Sequence, residues 1–504
     1  MQVTRLGQVL IDRVVKMSIK RTRQVPSPPH SLTPVVPERF APVLAELSDV
    51  SALFRAAGKR LYLVGGTVRD LLGGHASDAI DFDATTNARP DETKKLLSGW
   101  ADAVWTQGEK FGTIGARKGD RVYEITTHRA EAYHPDTRKP DVEYADEIDI
   151  DLSRRDFTIN AMALELTSDT PTLVDPFNGA SDLMTRTLRT PLDPDISFSD
   201  DPLRMMRAAR FIARFAMTPV PELVEAVRQF KDRLEIVSAE RIRDELNKLI
   251  TIDSPTSGLW FLVDTGLADQ FLPELPAMRL ENDPIHRHKD VLTHTLAVIE
   301  NVRRDAHADF DFRITRLSAL FHDVGKPATR GFQEGKGTTF HMHDVKGAKM
   351  TKKRLIALRF PNEDVEAITE LVRLHLRFHT YEMGWTDSAV RRYVNDAGPL
   401  LTELNVLTRC DCTTRNERKA ARLARRMDEL EERIIELTAK EELKAIRPEM
   451  DGLAVMQHLE LSAGPGVGQA LKFLLEIRLE EGIIGDEEIR RRLDAWWATQ
   501  SQSN

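Results

Sequence analysis

The spacing of hydrophobic residues divides this 504-residue chain into two parts. Between residues 46 and about 190, short apolar runs alternate with glycine-containing turns. This pattern predicts strands at RLYLVGG, AIDFDAT, GTIGARKG and RVYEITTHR, and a short helix at TVRDLLGG. After residue 200, apolar residues recur at helical spacing in DPLRMMRAARFIARF, PELVEAVRQFKDRL and AERIRDELNKLI, and strand signals nearly vanish. We therefore predict an α/β head followed by a long all-α remainder.

Composition and charge narrow the class of protein. Hydrophobic residues make up 41% and charged residues 30%, as in soluble globular proteins, and the length predicts three or four domains. The net charge of −8 argues against a globally basic nucleic-acid binder, so any nucleic-acid surface must be a local patch. Cys410 and Cys412 match no zinc-ribbon spacing, and a bridge between them is geometrically disfavoured. A reducing cytoplasm fits this cysteine usage best.

The first 45 residues predict an unstructured extension. They are basic near the start and proline-rich over PSPPHSLTPVVPE, and they contain no continuous apolar stretch of the secretory-signal type. The whole chain has no apolar run near the ~18 residues that span a bilayer, so we expect no membrane segment.

Two features of the head indicate a nucleotide and a metal ion. Asp81 and Asp83 alternate on a predicted strand, so both carboxylates face one side, where their repulsion favours a bound cation such as Mg²⁺. Gly65 and Gly66 allow the backbone to approach phosphate oxygens at a helix N-terminus, and Arg69 follows one turn later. Taken alone, the aspartates also suit a polar strand, and the glycines also suit a plain turn.

Two further segments carry arginines that could meet phosphate. In RRDFTINAMA, Arg155 and Asp156 precede a predicted Asn-Ala-Met-Ala helix, and they suit a phosphate and a ribose hydroxyl or else a solvated helix cap. In DDPLRMMRAARF, the aspartate before the proline suits an N-cap. Three arginines follow at steps of three, and their repulsion favours an anion over a solvated face: Arg204, Arg207 and Arg210.

Histidines concentrate between residues 286 and 379. His322 and Asp323 are adjacent at the end of a predicted helix, with His294 before them and Asp411 after them. A single histidine is more often a packed core residue, but this ordered set suits one octahedral nitrogen and oxygen metal site.

Six ordered segments resemble the bacterial CCA-adding tRNA nucleotidyltransferase and poly(A) polymerase family. They are LVGGTVRDLLGG, DAIDFDATTNARPDE, RRDFTINAMA, DPFNGASDL, DDPLRMMRAARF and SAERIRDEL. The resemblance implies that Asp81 and Asp83 bind the Mg²⁺ that activates the terminal ribose hydroxyl of RNA. It also implies phosphate contacts from Gly66, Arg69 and Arg155.

The same resemblance assigns the incoming base to Asp201 and Arg204, with further nucleotide contacts from Arg207 and Arg210. Glu124, on another predicted strand, is a candidate third carboxylate for the metal. The chain departs from the family where Asp200 stands in place of the usual glutamate before Asp201, which leaves the role of that neighbour open.

The middle of the chain resembles the HD phosphohydrolase superfamily, whose H…HD…D set matches His294, His322, Asp323 and Asp411. His343 and His375 fall where some members bind a second metal ion. The implied fold is an α/β nucleotidyltransferase head of the polymerase-β-like kind, followed by a long all-α neck, an HD domain and a tail. We place an extension over 1–45, the head over 46–190, the helical neck over 191–280, the HD domain over 281–420 and an RNA-binding helical tail over 421–504.

The implied function is template-independent addition of CCA to the 3′ end of tRNA from CTP and ATP with Mg²⁺. The HD domain would bind a second divalent metal. That domain would either hydrolyse phosphate esters or serve only as a helical scaffold. Three alternatives stay open: a poly(A) or A-adding polymerase, an HD phosphohydrolase with an RNA-binding head, and a non-catalytic RNA-binding protein. We expect a cytoplasmic protein without an obligate protein partner.

Overall fold

The computed structural model describes residues 36–74, 81–134, 137–280, 290–307, 309–334, 337–380, 385–414, 416–441 and 446–501. Of residues 81, 110, 130–134, 137–143 and 501 it describes the backbone alone. The chain forms two compact units. The first comprises Met1–Ser238 with Asp264–Gln270, and the second comprises Ala239–Val263 with Phe271–Asn504. This division falls inside the predicted helical neck.

The first unit contains the α/β head. Its strands are β1 (Leu61–Val64), β2 (Asp81–Thr86), β3 (Ala103–Trp105), β4 (Thr113–Lys118), β5 (Arg121–Thr127), β6 (Arg129–His134), β7 (Thr137–Tyr144), β8 (Ala163–Glu165), β9 (Thr172–Val174), β10 (Thr187–Leu188) and β11 (Thr218–Pro219). Its helices are α1 (Ala41–Glu46), α2 (Ser48–Ala56), α3 (Gly66–Leu72), α4 (Pro90–Ser98), α5 (Ile148–Ser153), α6 (Gly179–Thr185), α7 (Pro194–Asp200), α8 (Leu203–Phe215) and α9 (Pro221–Phe230).

Seven strands form a mixed sheet in the order β3-β4-β5-β2-β1-β8-β9. β2 pairs with β5 in parallel and with β1 in antiparallel orientation, so β2 lies near the centre of the sheet. The central strand β1 is buried on both faces: Leu61 and Leu63 join one hydrophobic core, and Tyr62 and Val64 join another. β1 pairs with the second half of β2, from Ala84 to Thr86, and β5 pairs with the whole of β2.

Two segments differ from the simplest interpretation of the sequence. Phe40, within the predicted extension, is buried in the first of these cores, just before helix α1. The helix predicted over Asn160–Ala163 is wrong, because the chain makes a 3-10 turn that ends at Asn160 and then enters strand β8. Ala163 pairs with Val64 of β1, and this tertiary pairing overrides the helical preference of alanine and methionine.

The second unit is almost entirely helical. Its helices are α10 (Ala239–Ile250), α11 (Thr256–Asp264, except for its last residue), α12 (Glu274–Ala277), α13 (Val291–Asn301), α14 (Phe312–Phe321), α15 (Lys326–Thr329), α16 (His343–Ala357), α17 (Asn362–Leu374), α18 (Asp387–Ala397), α19 (Leu401–Asp411), α20 (Glu417–Lys440), α21 (Gly452–His458), α22 (Pro465–Glu481) and α23 (Asp486–Ser501). A two-stranded hairpin, β12 (Arg330–Gln333) and β13 (Gly337–Phe340), interrupts them. Among the described residues, every helix is too short or too polar to span a bilayer.

One buried arginine ties several helix ends together in the second unit. Arg316 of α14 is 1% exposed, and its guanidinium donates hydrogen bonds to the carbonyl oxygens of Val302, Ile250, Ile252 and Asp253. These carbonyls lie at or just beyond the carboxyl ends of α13 and α10, where helix carbonyls lack intrahelical partners. Arg316 therefore joins the end of α10 to the helices that carry the histidine cluster.

Candidate active site and metal centre

Two carboxylates stand side by side at the centre of the head sheet. The parallel register of β2 and β5 sets Asp83 directly beside Glu124, and both side chains are exposed. Asp81 begins the same strand beside Val122, and only its backbone is described. Adjacent carboxylates repel one another unless a cation lies between them, and hard divalent cations prefer oxygen ligands. Asp83 and Glu124 therefore fit a divalent metal ion.

The glycine turn after β1 meets this site. Gly65 has φ 75° and ψ −139°, a conformation that side chains rarely adopt. A Cβ built on Gly65 would lie 3.4 Å from Nη1 of Arg155 and 3.9 Å from Oδ2 of Asp83. The turn, the guanidinium and the carboxylate thus border one small space, which a side chain at position 65 would fill. An anionic group beside a metal ion fits that space.

Asp151 holds Arg155 in this position, and sequence reasoning missed it. Its side chain is buried, and it accepts hydrogen bonds from Arg155 Nη2 at 3.3 Å and from Arg154 Nη2 at 2.8 Å. Burial alone would raise the pKa of Asp151, but the two guanidinium groups hold it well below its usual range. The sequence did carry a signal, because Asp151 precedes these arginines by three and four residues at the end of α5.

Arg69 is packed inside the head. Its guanidinium lies against Gly66, donates to Asn160 Oδ1 at 2.6 Å and to Asp70 Oδ1 at 2.8 Å, and stacks 4.5 Å from the ring centroid of Phe215. Burial lowers its pKa. In this arrangement Arg69 supports the glycine turn from below, and the phosphate contact expected of it stays a prediction.

The three arginines of α8 meet three different environments. Arg204 is buried and donates to Ser197 Oγ at 2.9 Å and to the carbonyl of Arg154 at 2.5 Å. Arg207 donates to Asp156 Oδ2 from Nε at 2.8 Å, while Arg210 lies 4.8 Å from the ring centroid of Phe211. Steps of three residues drift around a helix by about 60° each, so the side chains spread instead of forming one stripe.

Asp156 contacts Arg207 of α8 directly and is linked to Arg69 of α3 through Asn160. Its buried carboxylate accepts from Arg207 on Oδ2 and from Asn160 Nδ2 at 2.9 Å on Oδ1, and the Asn160 carbonyl oxygen accepts from Arg69. Burial opposes ionisation, but Arg207 and Asn160 hold the pKa of Asp156 below its usual value. The ribose contact suggested for Asp156 would have to share a carboxylate that already serves this chain of hydrogen bonds.

Asp201 and Arg204 lie on either side of the start of α8. Asp201 is half-buried in an extended conformation, and its Oδ1 accepts from the Leu203 N–H at 3.2 Å. The carboxylate therefore caps the start of the helix. The helix begins at Leu203, one residue later than the start at Pro202 that an Asp201 N-cap predicts.

The histidines of the second unit form one compact cluster with two aspartates. His294 Nε2 lies 2.9 Å from Asp411 Oδ1 and 3.3 Å from His322 Nε2. His343 Nε2 lies 3.2 Å from His375 Nε2. These ligand atoms form two groups, His294, His322 and Asp411 in one and Asp323, His343 and His375 in the other.

Asp323 lies between the two groups. Its Oδ2 is 3.2 Å from His322 Nε2 and 3.5 Å from His294 Nε2. Its Oδ1 faces the other way, 3.4 Å from His343 Nε2 and 4.0 Å from His375 Nε2. The sequence suggested one octahedral site with a separate second metal, whereas the geometry offers two adjacent sites that share one carboxylate.

The outer nitrogens of the rings explain why the cluster suits metal ions. Nδ1 of His322, His343 and His375 lies 2.6–2.8 Å from the carbonyl oxygens of Ala319, Phe340 and Val372, each three residues earlier. A carbonyl only accepts, so each Nδ1 carries the proton and each Nε2 lone pair points into the cluster. Burial lowers the pKa of His375 to about 4, which keeps that ring neutral, whereas at His322 burial is outweighed by the adjacent Asp323 carboxylate, which raises the pKa of that ring. Neutral imidazoles and carboxylates are a donor set for divalent metals.

Two residues near the cluster have other roles. Lys326 Nζ lies 2.6 Å from Asp323 Oδ2 and so partly balances that buried carboxylate. Cys410 is buried, and burial raises the pKa of its thiol to about 12, which makes it a core residue and a poor metal ligand at neutral pH.

Three family models match this chain in order. The poly A polymerase head domain matches residues 61–189, the probable RNA and SrmB-binding site of polymerase A matches 216–278, and the HD domain matches 291–438. Both the head and the HD domain are of kinds that depend on divalent metal ions. The class is therefore a nucleotidyltransferase whose head is followed by helices and an HD domain.

Relatives specify the family. The chain is 32% identical over 445 residues to an A-adding tRNA nucleotidyltransferase of Deinococcus radiodurans, covering 86% of this chain and 95% of that protein. It is 38% identical over 240 residues to a CCA-adding enzyme of Levilactobacillus brevis, covering 47% of this chain and 57% of that protein, and so spans about half of that relative. The chain belongs to the bacterial tRNA nucleotidyltransferase and poly(A) polymerase family.

Solved structures share the fold. The Bacillus stearothermophilus CCA-adding enzyme in complex with CTP aligns with a TM-score of 0.62 and 22% identity, covering 93% of this chain and 100% of that one. The Thermotoga maritima CCA-adding enzyme complexed with tRNA aligns with a TM-score of 0.56 and 19% identity, covering 92% and 97%. At this identity the likeness confirms the predicted head and helical architecture.

Proposed function

We propose that this protein adds CCA to the 3′ end of tRNA, using CTP and ATP with Mg²⁺ held by Asp81, Asp83 and Glu124. The observation that carries the proposal is the meeting of Asp83, Glu124, Arg155 and the Gly65 turn around one space. Carboxylates for a cation, a guanidinium and an open glycine turn are the parts that nucleotidyl transfer needs. A cytoplasmic location, where tRNA is processed, belongs to the same proposal.

Each of these groups has a task. Bound Mg²⁺ would supply a lowered pKa for the 3′-hydroxyl and charge neutralisation for the departing pyrophosphate. Arg155, oriented by Asp151, binds the triphosphate, and Gly65 leaves room for it. We assign the reading of a base edge by hydrogen bonding to the Asp201 carboxylate and to Arg204, which Ser197 and the Arg154 carbonyl hold in place.

A second candidate is addition of the terminal A alone. A relative that this chain covers over 95% of its length is named as an A-adding tRNA nucleotidyltransferase. The residues of the head serve either reaction, because both transfer a nucleotide to a 3′-hydroxyl.

An incorporation assay separates these functions. The full chain is incubated with Mg²⁺, labelled CTP or ATP, and tRNA ending before CCA or ending in CC. CCA addition predicts CTP incorporation on the first substrate followed by one A, whereas A addition predicts ATP incorporation on the CC-ending tRNA only. Poly(A) synthesis predicts long A tails, and a protein that only hydrolyses or binds RNA incorporates neither nucleotide.

Variants test the residues. Asp83→Asn should abolish incorporation with either nucleotide, and Asp81→Ala should do the same. His322→Ala, in the other unit, serves as the matched control and should leave incorporation intact. Loss of incorporation in His322→Ala, or its survival in Asp83→Asn, would contradict the assignment of the reaction to the head.

We further propose that the HD centre hydrolyses a phosphate ester with divalent metal held by His294, His322, Asp323 and Asp411, and by His343 and His375. The inward Nε2 lone pairs and the shared Asp323 support this activity. Phosphate release should depend on Mg²⁺, Mn²⁺, Co²⁺ or Ni²⁺, stop with a chelator and vanish in His322→Ala. Release that persists in His322→Ala would refute it.

A further inference from the structure

A large cavity opens beside the HD centre, within the second unit. Its volume is about 1160 Å³, and His294 and Asp411 line it together with Phe340 and Phe378. Asp411 ends α19, Asn416 caps α20 after a short connection, and residues of the first turns of α20 also line the cavity. One stretch of chain therefore supplies both a candidate metal ligand and part of the cavity lining.

The part of the lining that α20 supplies carries unpaired cations. Lys419 and Arg422, one turn apart on α20, both line the cavity and are exposed. Among the residues that the structure describes, neither has a carboxylate partner, and Arg426 one turn later lies 5.0 Å from the ring centroid of Phe378. Farther along the same helix the pattern is the opposite, because Arg433 pairs with Asp387 and Glu436.

The paired and unpaired arginines differ in what surrounds them. A solvated helix face usually mixes both signs of charge, and the later turns of α20 do so. The turns that border the cavity instead place two like charges in a concave space that the candidate metal ligands His294 and Asp411 also line. Such a space attracts a molecule with more than one negative charge.

The size and lining of the cavity narrow the chemistry. A single phosphate held at the metal would leave most of the cavity empty, and Lys419 and Arg422 would have no group to contact. A second phosphate group one nucleotide away, with a base against Phe340 or Phe378, would use both the cations and the rings.

We propose that Lys419 and Arg422 bind the phosphodiester next to the phosphate at the HD centre, so that the substrate is a short single-stranded RNA end and not an isolated phosphomonoester. This inference rests on the proposed phosphohydrolase activity. In that reaction the oxygen of a water bonds to phosphorus, the bond from phosphorus to the ribose oxygen breaks, and that oxygen takes a proton. The products are a ribose hydroxyl and inorganic phosphate.

The test compares two double variants of the full chain. Lys419→Ala/Arg422→Ala removes the cavity cations, and Arg418→Ala/Arg425→Ala removes two exposed cations of the same helix that do not line the cavity. Alanine is a good helix former, so both variants keep α20. Phosphate release with Mn²⁺ is measured from adenosine 3′-monophosphate and from a diadenosine dinucleotide with a 3′-phosphate.

The expected result is a change in preference. Losing two charge-assisted contacts should lower kcat/KM for the dinucleotide by about tenfold or more in Lys419→Ala/Arg422→Ala, with little change for the mononucleotide. Arg418→Ala/Arg425→Ala should match the wild type on both substrates. Equal behaviour of the two variants, or an equal loss on both substrates, would overturn the inference while leaving the hydrolase proposal standing.

A binding measurement keeps the two proposals separate. The dissociation constant of the same dinucleotide is measured with Ca²⁺ for the wild type and both variants. If no metal supports phosphate release in the wild type, the hydrolase proposal fails. The assignment of Lys419 and Arg422 as RNA contacts is then supported if Lys419→Ala/Arg422→Ala, and not Arg418→Ala/Arg425→Ala, binds the dinucleotide about tenfold more weakly. Unchanged binding would overturn this assignment as well.

Discussion

Replacing Asp151 by asparagine should impair nucleotide addition, because Asp151 holds Arg155 beside the Gly65 turn. The substitution keeps the size of the side chain but puts an amide N–H or a neutral oxygen opposite Arg155 Nη2, which lies 3.3 Å from Oδ2 in the native protein. A hydrogen bond to a charged group contributes about 1.5–3 kcal/mol. Taking about 2 kcal/mol as the part that orients Arg155 toward the triphosphate, kcat/KM should fall about 30-fold.

The assay is a mutant cycle on single-nucleotide incorporation. It measures kcat/KM for Asp151→Asn, Arg155→Ala and the double variant, with hydrogen exchange of α5 to report on folding. If Asp151 acts by holding Arg155, the double variant should be no slower than Arg155→Ala alone. Full additivity of the two losses would refute the reasoning, because Asp151 would then act on the reaction by a separate route.

Three other predictions concern groups inside the two units. His128 is fully buried, and burial lowers its pKa to about 4 from an ordinary 6.5. Between pH 6.5 and pH 4, the unfolded chain therefore binds a proton at His128 that the folded chain does not bind. The stability that this site contributes is complete above pH 6.5, and at pH 5 the loss should be about 2 kcal/mol at most. Amide exchange of β5 at pH 7 and pH 5 measures this loss, which should be absent from His128→Gln. Arg316→Met should destabilise the second unit by about 3–5 kcal/mol, because four carbonyls lose their buried donor; unchanged exchange at the end of α10 would contradict this. Arg69→Lys should lower both the thermal midpoint of the head and the activity, because a lysine cannot bind Asn160 and Asp70 and also stack on Phe215. A loss of activity without a change in the thermal midpoint would favour the phosphate contact instead.

The sequence predicted those elements whose cause is local. Leu61–Val64 and Asp81–Thr86 form the strands expected from their short length and flanking turns, and the glycine pair opens a helix as expected. The α/β head, the helical remainder and the HD histidines followed from periodicity and from ordered motifs. The register that sets Asp83 beside Glu124 could not follow, because it depends on which strands pair.

What the sequence could not supply was the partners of its charged residues. Spacing grouped the arginines of α8 as one stripe, yet Arg204 and Arg207 are bound by segments that lie far away along the chain. Likewise, the histidines indicated metal ligands, but only their positions in space show Asp323 facing two groups with different oxygens. Ion pairs between distant segments and shared ligands depend on tertiary neighbours, whereas a pair within one helix, such as Asp151 with Arg154, can be predicted from spacing.

The hydrogen bonds from Arg69 through Asn160 and Asp156 to Arg207 have a consequence for protein engineering. They make α3, the turn before β8 and helix α8 a single mutational unit, although about 140 residues separate its ends. A chimaera that takes α8 from a relative to change nucleotide choice must bring matching residues at positions 69, 156 and 160. Without them, the transplanted helix would leave a buried carboxylate without its guanidinium partner, and the glycine turn above Arg69 would lose its support.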